Sequence, residues 1–334
     1  MSLLVSDRNC VSFKFESGTY ASPSGTSGNW LGLVTSHEIS ESQNVIEVRY
    51  ACNDSRNVGQ FLDGPQDYEG TLTFHPQNFA LLGFALGSIV DTSGATTTHT
   101  FSENNSSDKY AFTSGTLNPF ASITMIDSKR GVNVADHIVR TVNGCVANSF
   151  TINFSEGEPV ECEYSYIGQS MSVGSTLVNI TSGTNLMSHD NTRPYMWTDV
   201  RMHLPSGTVI QTLKEGNFTM NNNLESKHYL TGSREISIPV PMNRDYEVSA
   251  TIDMTSALAR SLYDSYWNGG STFNAMLELV QSASENLYVI MSGCKMTDMS
   301  APSTTEGVNE MSLTFKPQTC IATEKNTILK YSAW

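Results

Sequence analysis

Seven histidines (His37, His75, His99, His137, His189, His203, His228) and six cysteines (Cys10, Cys52, Cys145, Cys162, Cys294, Cys320) are the residues able to carry metal or nucleophilic chemistry. A zinc site draws its ligands in closely spaced pairs, because one local turn must deliver two of them. No two of these residues stand so: there is no Cys-x-x-Cys and no Cys-His cluster. The nucleophile elbow, the phosphate-binding loop and the His-Glu-x-x-His helix are absent too. Asp67 and Glu69 flank Tyr68 as a carboxylate pair. Alternation along a strand places both on one face, which is what any solvated strand face shows. A lone His in a strand-rich chain is more often a surface or hydrogen-bonded residue than a catalyst. The reading is therefore a non-enzyme with no cofactor, no metal and reduced, mostly buried thiols.

The chain that must position these residues has 334 residues, a net charge of −14 and 24 Gly. Its Ser, Thr and Asn content favours strands and turns over long helices. An acidic surface is a poor grip for phosphates, since nucleic-acid binding needs Lys and Arg to displace counterions. The same acidity keeps a protein soluble and suits a surface that must not stick to DNA. No apolar run is long enough to cross a bilayer, so no membrane partner is expected. The first residues carry no basic segment followed by an apolar stretch, which predicts folding in a cytoplasm and leaves the "NIT" at Asn179 without meaning.

Two stretches far apart read alike. "QDYEGTLTFHP" (66–76) and "RDYEVSATIDM" (244–254) share Asp-Tyr-Glu followed by an alternating strand. Tyr68, Gly70, Leu72 and Phe74 face one way in the first, and Tyr246, Val248, Ala250 and Ile252 in the second. The offset is 178 residues, from Asp67 to Asp245. A short helix is predicted after each. Phe79, Leu82 and Leu86 form the stripe of the first, with Gly87 as its stop. Leu258, Leu262 and Tyr266 form that of the second, with Thr255 or Ser256 as cap and Gly269-Gly270 as stop. Upstream, Ile39 aligns with Phe218 at an offset of 179. The "NNN" of Asn221–Asn223 marks a bulge or a tight turn there, because Asn is a poor strand former.

Downstream, "NGCVANSF" and "CEYSYIGQ" align with "SGCKMTDM" and "MSLTFKPQ" at an offset of 149, Cys145 on Cys294, Tyr164 on Leu313 and Tyr166 on Phe315. The fall from 178 to 149 implies an insertion of 29 residues in the first copy, within the Ser-, Thr- and Asn-rich stretch about residues 92–130. The expected organisation is a tandem duplication, 1–183 and 184–334, joined near the polar stretch from Thr181 to Trp197. Its repeat core is Tyr68, Leu72, Phe74, Tyr164, Tyr166, Tyr246, Ala250, Ile252, Leu313 and Phe315.

The second half, with "FTMNNNLESKHYLTGSREISIPVPMNRDYEVSATIDM", "SALARSLYDSYW", "GCKMTDMSAP" and "EMSLTFKPQ", resembles the tail tube (major tail) proteins of long-tailed bacteriophages and related archaeal viruses. The first half resembles the same unit through "WLGLVTSHEIS", "GCVANSFTINF" and "CEYSYIGQ". The resemblance implies a mainly β protein: two tandem β-sandwiches, each with one flanking short helix, assembling into a β-barrel-lined ring. Chains with two units are similar to those that close as a trimer with pseudo-sixfold symmetry. Such rings stack into the virion's tail tube, assembled in the host cytoplasm. The implied partners are other copies of the chain, a tape-measure protein, tail terminator and baseplate or tip proteins, and DNA that passes without specific binding. Glu69, Glu161, Glu163, Glu247 and Glu310 are the candidate lumen-facing acids. The competing reading is a duplicated receptor-binding or decoration module of a virion.

Overall fold

The computed structural model describes residues 9–16, 20–23, 28–50, 57–92, 96–103, 122–131, 133–178, 193–205, 207–230, 232–303 and 308–326. The expected unit boundary at 183/184 lies outside them. The first half of the chain runs β1 (Cys10–Phe15), β2 (Leu33–Ser42), β3 (Ile46–Val48), β4 (Gln60–Leu62), β5 (Asp67–His75) and α1 (Ala80–Leu86). It continues with β6 (Gly87–Thr92), β7 (Thr97–Glu103), β8 (Ile123–Lys129), β9 (Ile138–Ser155), β10 (Glu161–Gly168) and β11 (Ser170–Gly174). The second half runs β12 (Val200–His203), β13 (Leu213–Asn221), β14 (Leu224–Glu225), β15 (Val240–Pro241), β16 (Asp245–Asp253) and α2 (Ser256–Ser261). A π-helical turn over Leu262–Asn268 extends α2. Then come β17 (Phe273–Ser282), β18 (Glu285–Ser300), β19 (Glu310–Lys316) and β20 (Thr319–Asn326). The protein is mainly β, and its strands form one large antiparallel sheet with two small hairpins, β3–β4 and β14–β15.

The alternating residues explain the sheet. In β5 and β16 every second side chain is buried, starting at Tyr68 and Tyr246, and the residues between are exposed or half-buried. One ladder runs β2-β5-β10-β9-β13-β16-β19-β18 and spans both halves. Registers recur along it. Ser42 faces Asp67, and Asn221 faces Asp245. Gly70 faces Tyr166, and Val248 faces Phe315. Tyr166 faces Ala147 and Ser165 faces Ser149, with Asn148 left out of the ladder; Phe315 faces Met296 and Thr314 faces Asp298, with Thr297 left out. The two halves meet where β13 pairs with β9, from Glu215 opposite Ser155 to Asn221 opposite Ser149.

β9 and β18 each serve two ladders. Their first halves pair with β8 and β11, and with β17 and β20. Each changes ladder just past a glycine at positive φ, Gly144 at 66° and Gly293 at 64°. A Cβ at Gly144 would meet the Tyr20 ring at 2.7 Å, so the turn demands glycine on both counts. Cys145 and Cys294 follow, buried, each thiol directed at a carbonyl three residues back. Burial pushes their pKa values up, Cys294 to about 11, which leaves them inert thiols. Side chains of the two ladders interlock: Phe273 of β17 lies 5.3 Å from Phe315 of β19, centroid to centroid.

Two features depart from the expected layout. Helix α1 is buried on every side rather than along one stripe. Phe84 meets Phe13 and Phe15 of β1 while the β6–β7 hairpin and β9 close round the rest, so an amphipathic pattern is not needed there. Within the stretch expected to be inserted loop, Ile123–Lys129 is a core strand, buried from Ile123 to Ser128 and paired with β1 and β9. Across the upstream edge of that stretch, β6 and β7 form a hairpin whose second strand, β7, pairs with β20, from Thr97 opposite Asn326 to Ser102 opposite Ile321. A hairpin from the first half therefore completes the outer ladder of the second.

Asn222 locks the meeting of the halves. Its buried amide Nδ2 donates to the carbonyls of Ala85 (3.0 Å) and Ala147 (2.9 Å), and its Oδ1 accepts from Arg244 Nε at 2.7 Å. Asn222→Ala strands buried polar partners and should cost about 2–4 kcal/mol by unfolding in urea. Asn222→Asp should cost no less, because it removes both donors.

The open face of the sheet as candidate functional site

Alternation gives the ladder that spans both halves two unlike faces. One carries the core: Tyr68, Leu72, Phe74, Tyr164, Tyr166, Tyr246, Ala250, Ile252, Leu313 and Phe315 are all buried on it. The other is open and almost wholly acidic or hydroxylic. Two rows cross it at right angles to the strands. Register links Thr73, Glu163, Thr151 and Thr219 to Glu247. It also links Glu161, Asn153, Asn217, Ser249 and Thr314 to Asp298.

All five acids singled out in the sequence lie on this face: Glu69, Glu163, Glu247 and Glu310 are exposed and Glu161 is half-buried. They are spread over it rather than gathered in one cluster. In the second half lysines meet them. Lys214 Nζ is 2.5 Å from Glu310 and 3.9 Å from Asp253, and Lys316 Nζ is 3.5 Å from Glu247. The hydrogen bond it donates to Glu310 holds the Lys214 ammonium above its ordinary pKa. Among the described residues no Lys or Arg pairs with Glu69, Glu161 or Glu163. Glu38, Glu215, Asp253 and Asp298 add to the same face beyond the five acids expected there. The alternation that found the first five would have found these, once β2, β13 and the end of β18 are read as members of one sheet.

The remaining chemistry-bearing side chains have structural partners. Asp67 Oδ2 accepts from Asn44 (3.1 Å) and Asp245 Oδ2 from Asn223 (2.8 Å). Both asparagines sit at positive φ, 38° and 47°, so each Asp-Tyr-Glu clasps the tight turn beyond the preceding strand. Asn221–Asn223 is thus a strand end and its turn. His75 bonds the Val160 carbonyl, His99 lies between Asp91 and Asn326, His203 reaches Glu278 and His228 reaches Asp67. His189 and Cys52 fall outside the described residues. Among the described residues no group of three or more His, Cys, Asp or Glu is placed to hold a metal ion.

His37 sits on edge strand β2 with Nε2 2.9 Å from the Tyr166 hydroxyl. Burial lowers its pKa to about 4; Asp127 opposes that shift, and Arg140 and Lys129 add to it. The unfolded ring titrates near 6.5. Its stabilising effect is therefore complete above about pH 6.5 and is lost as pH falls, because only the unfolded chain takes up the proton. Between pH 6.5 and 4 this should remove about 3 kcal/mol. Urea unfolding of wild type and His37→Gln across that range measures it; the variant's curve should be flatter.

A family model described as phage tail tube protein matches residues 6–317. No curated protein matches. Among solved structures, a chain of the virion of a native gene transfer agent particle is 13% identical, covering 37% of this chain and 94% of its own, with a TM-score of 0.29. The SPP1 tail tube structure is 10% identical, covering 41% of this chain and 83% of its own, with a TM-score of 0.32.

Proposed function

The chain belongs to the phage tail tube protein family, and from that premise we propose that three copies close into a pseudo-hexameric ring whose wall is the sheet spanning both halves. It is a structural component of the virion tail and not an enzyme; proteins of this family self-assemble into the tube. In the proposed tube the open acidic face lines the lumen, which first holds a tape-measure protein and later conducts DNA into the host. The observation that carries this reading is the continuity of that ladder: four strands of each half share one register pattern and one polar face. Glu69, Glu161, Glu163, Glu247 and Glu310 then repel phosphates, so DNA slides without binding. Tail terminator and baseplate or tip proteins would meet the ends of the stack.

We read the chain as two tandem copies of one sandwich unit. Matching registers support it. Ile123 opposite Cys145 corresponds to Phe273 opposite Cys294. Ser170 opposite Asn143 corresponds to Thr319 opposite Ser292. On this reading β8 and β17 are equivalent, and the insertion of the first copy lies between α1 and β8, with the β6–β7 hairpin inside it. Electron microscopy of the purified protein across a concentration series tests the assembly. Hollow rings or stacked tubes with threefold or pseudo-sixfold symmetry are expected. Compact particles that never stack would overturn the ring.

A further inference from the structure

Resting on the tube reading above, we propose that the ring closes by pairing β2 of one copy with residues 297–301 of the next, in the register that β13 and β9 use within the chain. Gln43 then lies opposite Thr297, Glu41 opposite Met299 and Ile39 opposite Ala301. The partner is a second copy of this chain.

The chain carries its own template. β13 and β2 occupy equivalent places. Each meets its next strand in matching register, and each has an irregularity near its start, between Leu213 and Glu215 and between Val34 and Ser36. The ends of β9 and β18 are equivalent too, each leaving one residue, Asn148 or Thr297, out of the ladder. β13 is covered by β9 along one edge. Among the described residues the corresponding edge of β2 has no strand partner, nor has the outer edge of Lys295–Ser300. An unpaired row of N–H and C=O groups is a template for another strand.

Hydrogen-bond direction agrees. Asn222 N donates to the Asn148 carbonyl at 2.7 Å, which makes Phe218, Met220 and Asn222 the residues of β13 that bond to β9. Their equivalents Ile39, Glu41 and Gln43 present their amides to the free edge of β2. On β18, Met299 and Ala301 are the counterparts of Phe150 and Ile152, which bond to β13, so their amides face out while Ser300 turns to β19. Pro302, which lacks an N–H, falls on the β19 side, where the ladder has already ended, and leaves the outer edge complete. Packing agrees as well. Phe218, Phe150 and Ile152 are fully buried where the halves meet. Ile39 and Met299, equivalent to Phe218 and Phe150, are half-buried in the single chain and packed against its core. The proposed pairing covers them.

Ser40 and Ser300 form a non-hydrogen-bonded pair in this register, with Cα atoms about 4.5 Å apart, within reach of a disulfide. Tubes of Ser40→Cys/Ser300→Cys should oxidise to a covalent closed ring of three chains on a non-reducing gel, and each single variant should not. Ser40→Cys/Asp298→Cys, which needs a two-residue slip, should stay uncrosslinked. Tubes that form but crosslink only in the slipped pair would overturn the register and leave the tube reading intact. Failure of the wild-type protein to form rings would remove both. A cryo-EM map of wild-type tubes reads the same pairing without any substitution, and Ser300 opposite any residue but Ser40 overturns it.

Discussion

Tyr246→Asp unfolds the second half of the protein. Tyr246 is 5% exposed, and its hydroxyl donates to Glu103 Oε1 at 2.8 Å, the same oxygen that accepts from the Cys320 amide. Phe218 stacks on the ring at 6.3 Å. The substitution removes that stacking and faces a buried carboxylate with another. The loss should be roughly 3–5 kcal/mol, by comparison with other unpaired buried charges. Tyr246→Phe keeps the packing, loses one hydrogen bond to a charged acceptor and should cost about 1.5–3 kcal/mol. Tyr68, 4% exposed, occupies the corresponding place in β5, and Tyr68→Asp should cost a similar amount. Chemical denaturation of the three variants measures the order, and a Tyr246→Asp protein as stable as wild type would refute the inward register of β16.

Inverting the open face should turn a passive wall into a DNA trap. Glu69, Glu161 and Glu163 have no cationic partner among the described residues, so Glu→Lys at all three breaks no ion pair. Each change raises the local charge by two. A trimeric ring would then offer about nine new phosphate contacts, and DNA affinity should fall about 10³–10⁵-fold between 50 and 200 mM salt. Wild-type tubes should hold no DNA. The readout is nuclease-protected DNA co-sedimenting with the tubes. DNA that binds the variant but remains open to nuclease would put these acids on the outside.

Much of the fold can be read in the residues. The alternation from Tyr68 and from Tyr246 fixes which side chains point inward, since a strand's period is two. The offsets of 178 and 149 carry register, because paired strands shift together. What stays hidden has physical causes. On the two-copy reading β8 and β17 are counterparts, yet they share few residues: Ile123–Lys129 reads "ITMIDSK", whereas Phe273–Ser282 reads "FNAMLELVQS". Any apolar pattern of the right period serves there. The β6–β7 hairpin is Ser- and Thr-rich, as a surface loop would be, yet it pairs with a strand more than 200 residues away. Local composition says nothing of so distant a partner. At the open face the sequence supplied polarity, but strand order was needed to set the two halves side by side.

The hairpin's docking has a temporal consequence. Glu103 holds Tyr246 and the Cys320 amide, and His99 holds Asn326, so the strap closes on residues of the second half, the last of them at the far end of the described chain. During synthesis the first half emerges with that hairpin unfastened. It waits for Thr319–Asn326 before β7, paired until then with β6 alone, gains its second neighbour. A ribosome-bound fragment ending before Thr319 should leave Thr97–Glu103 open to protease, whereas the finished chain protects it. The outer ladder of the sheet is therefore complete only once β20 has been made.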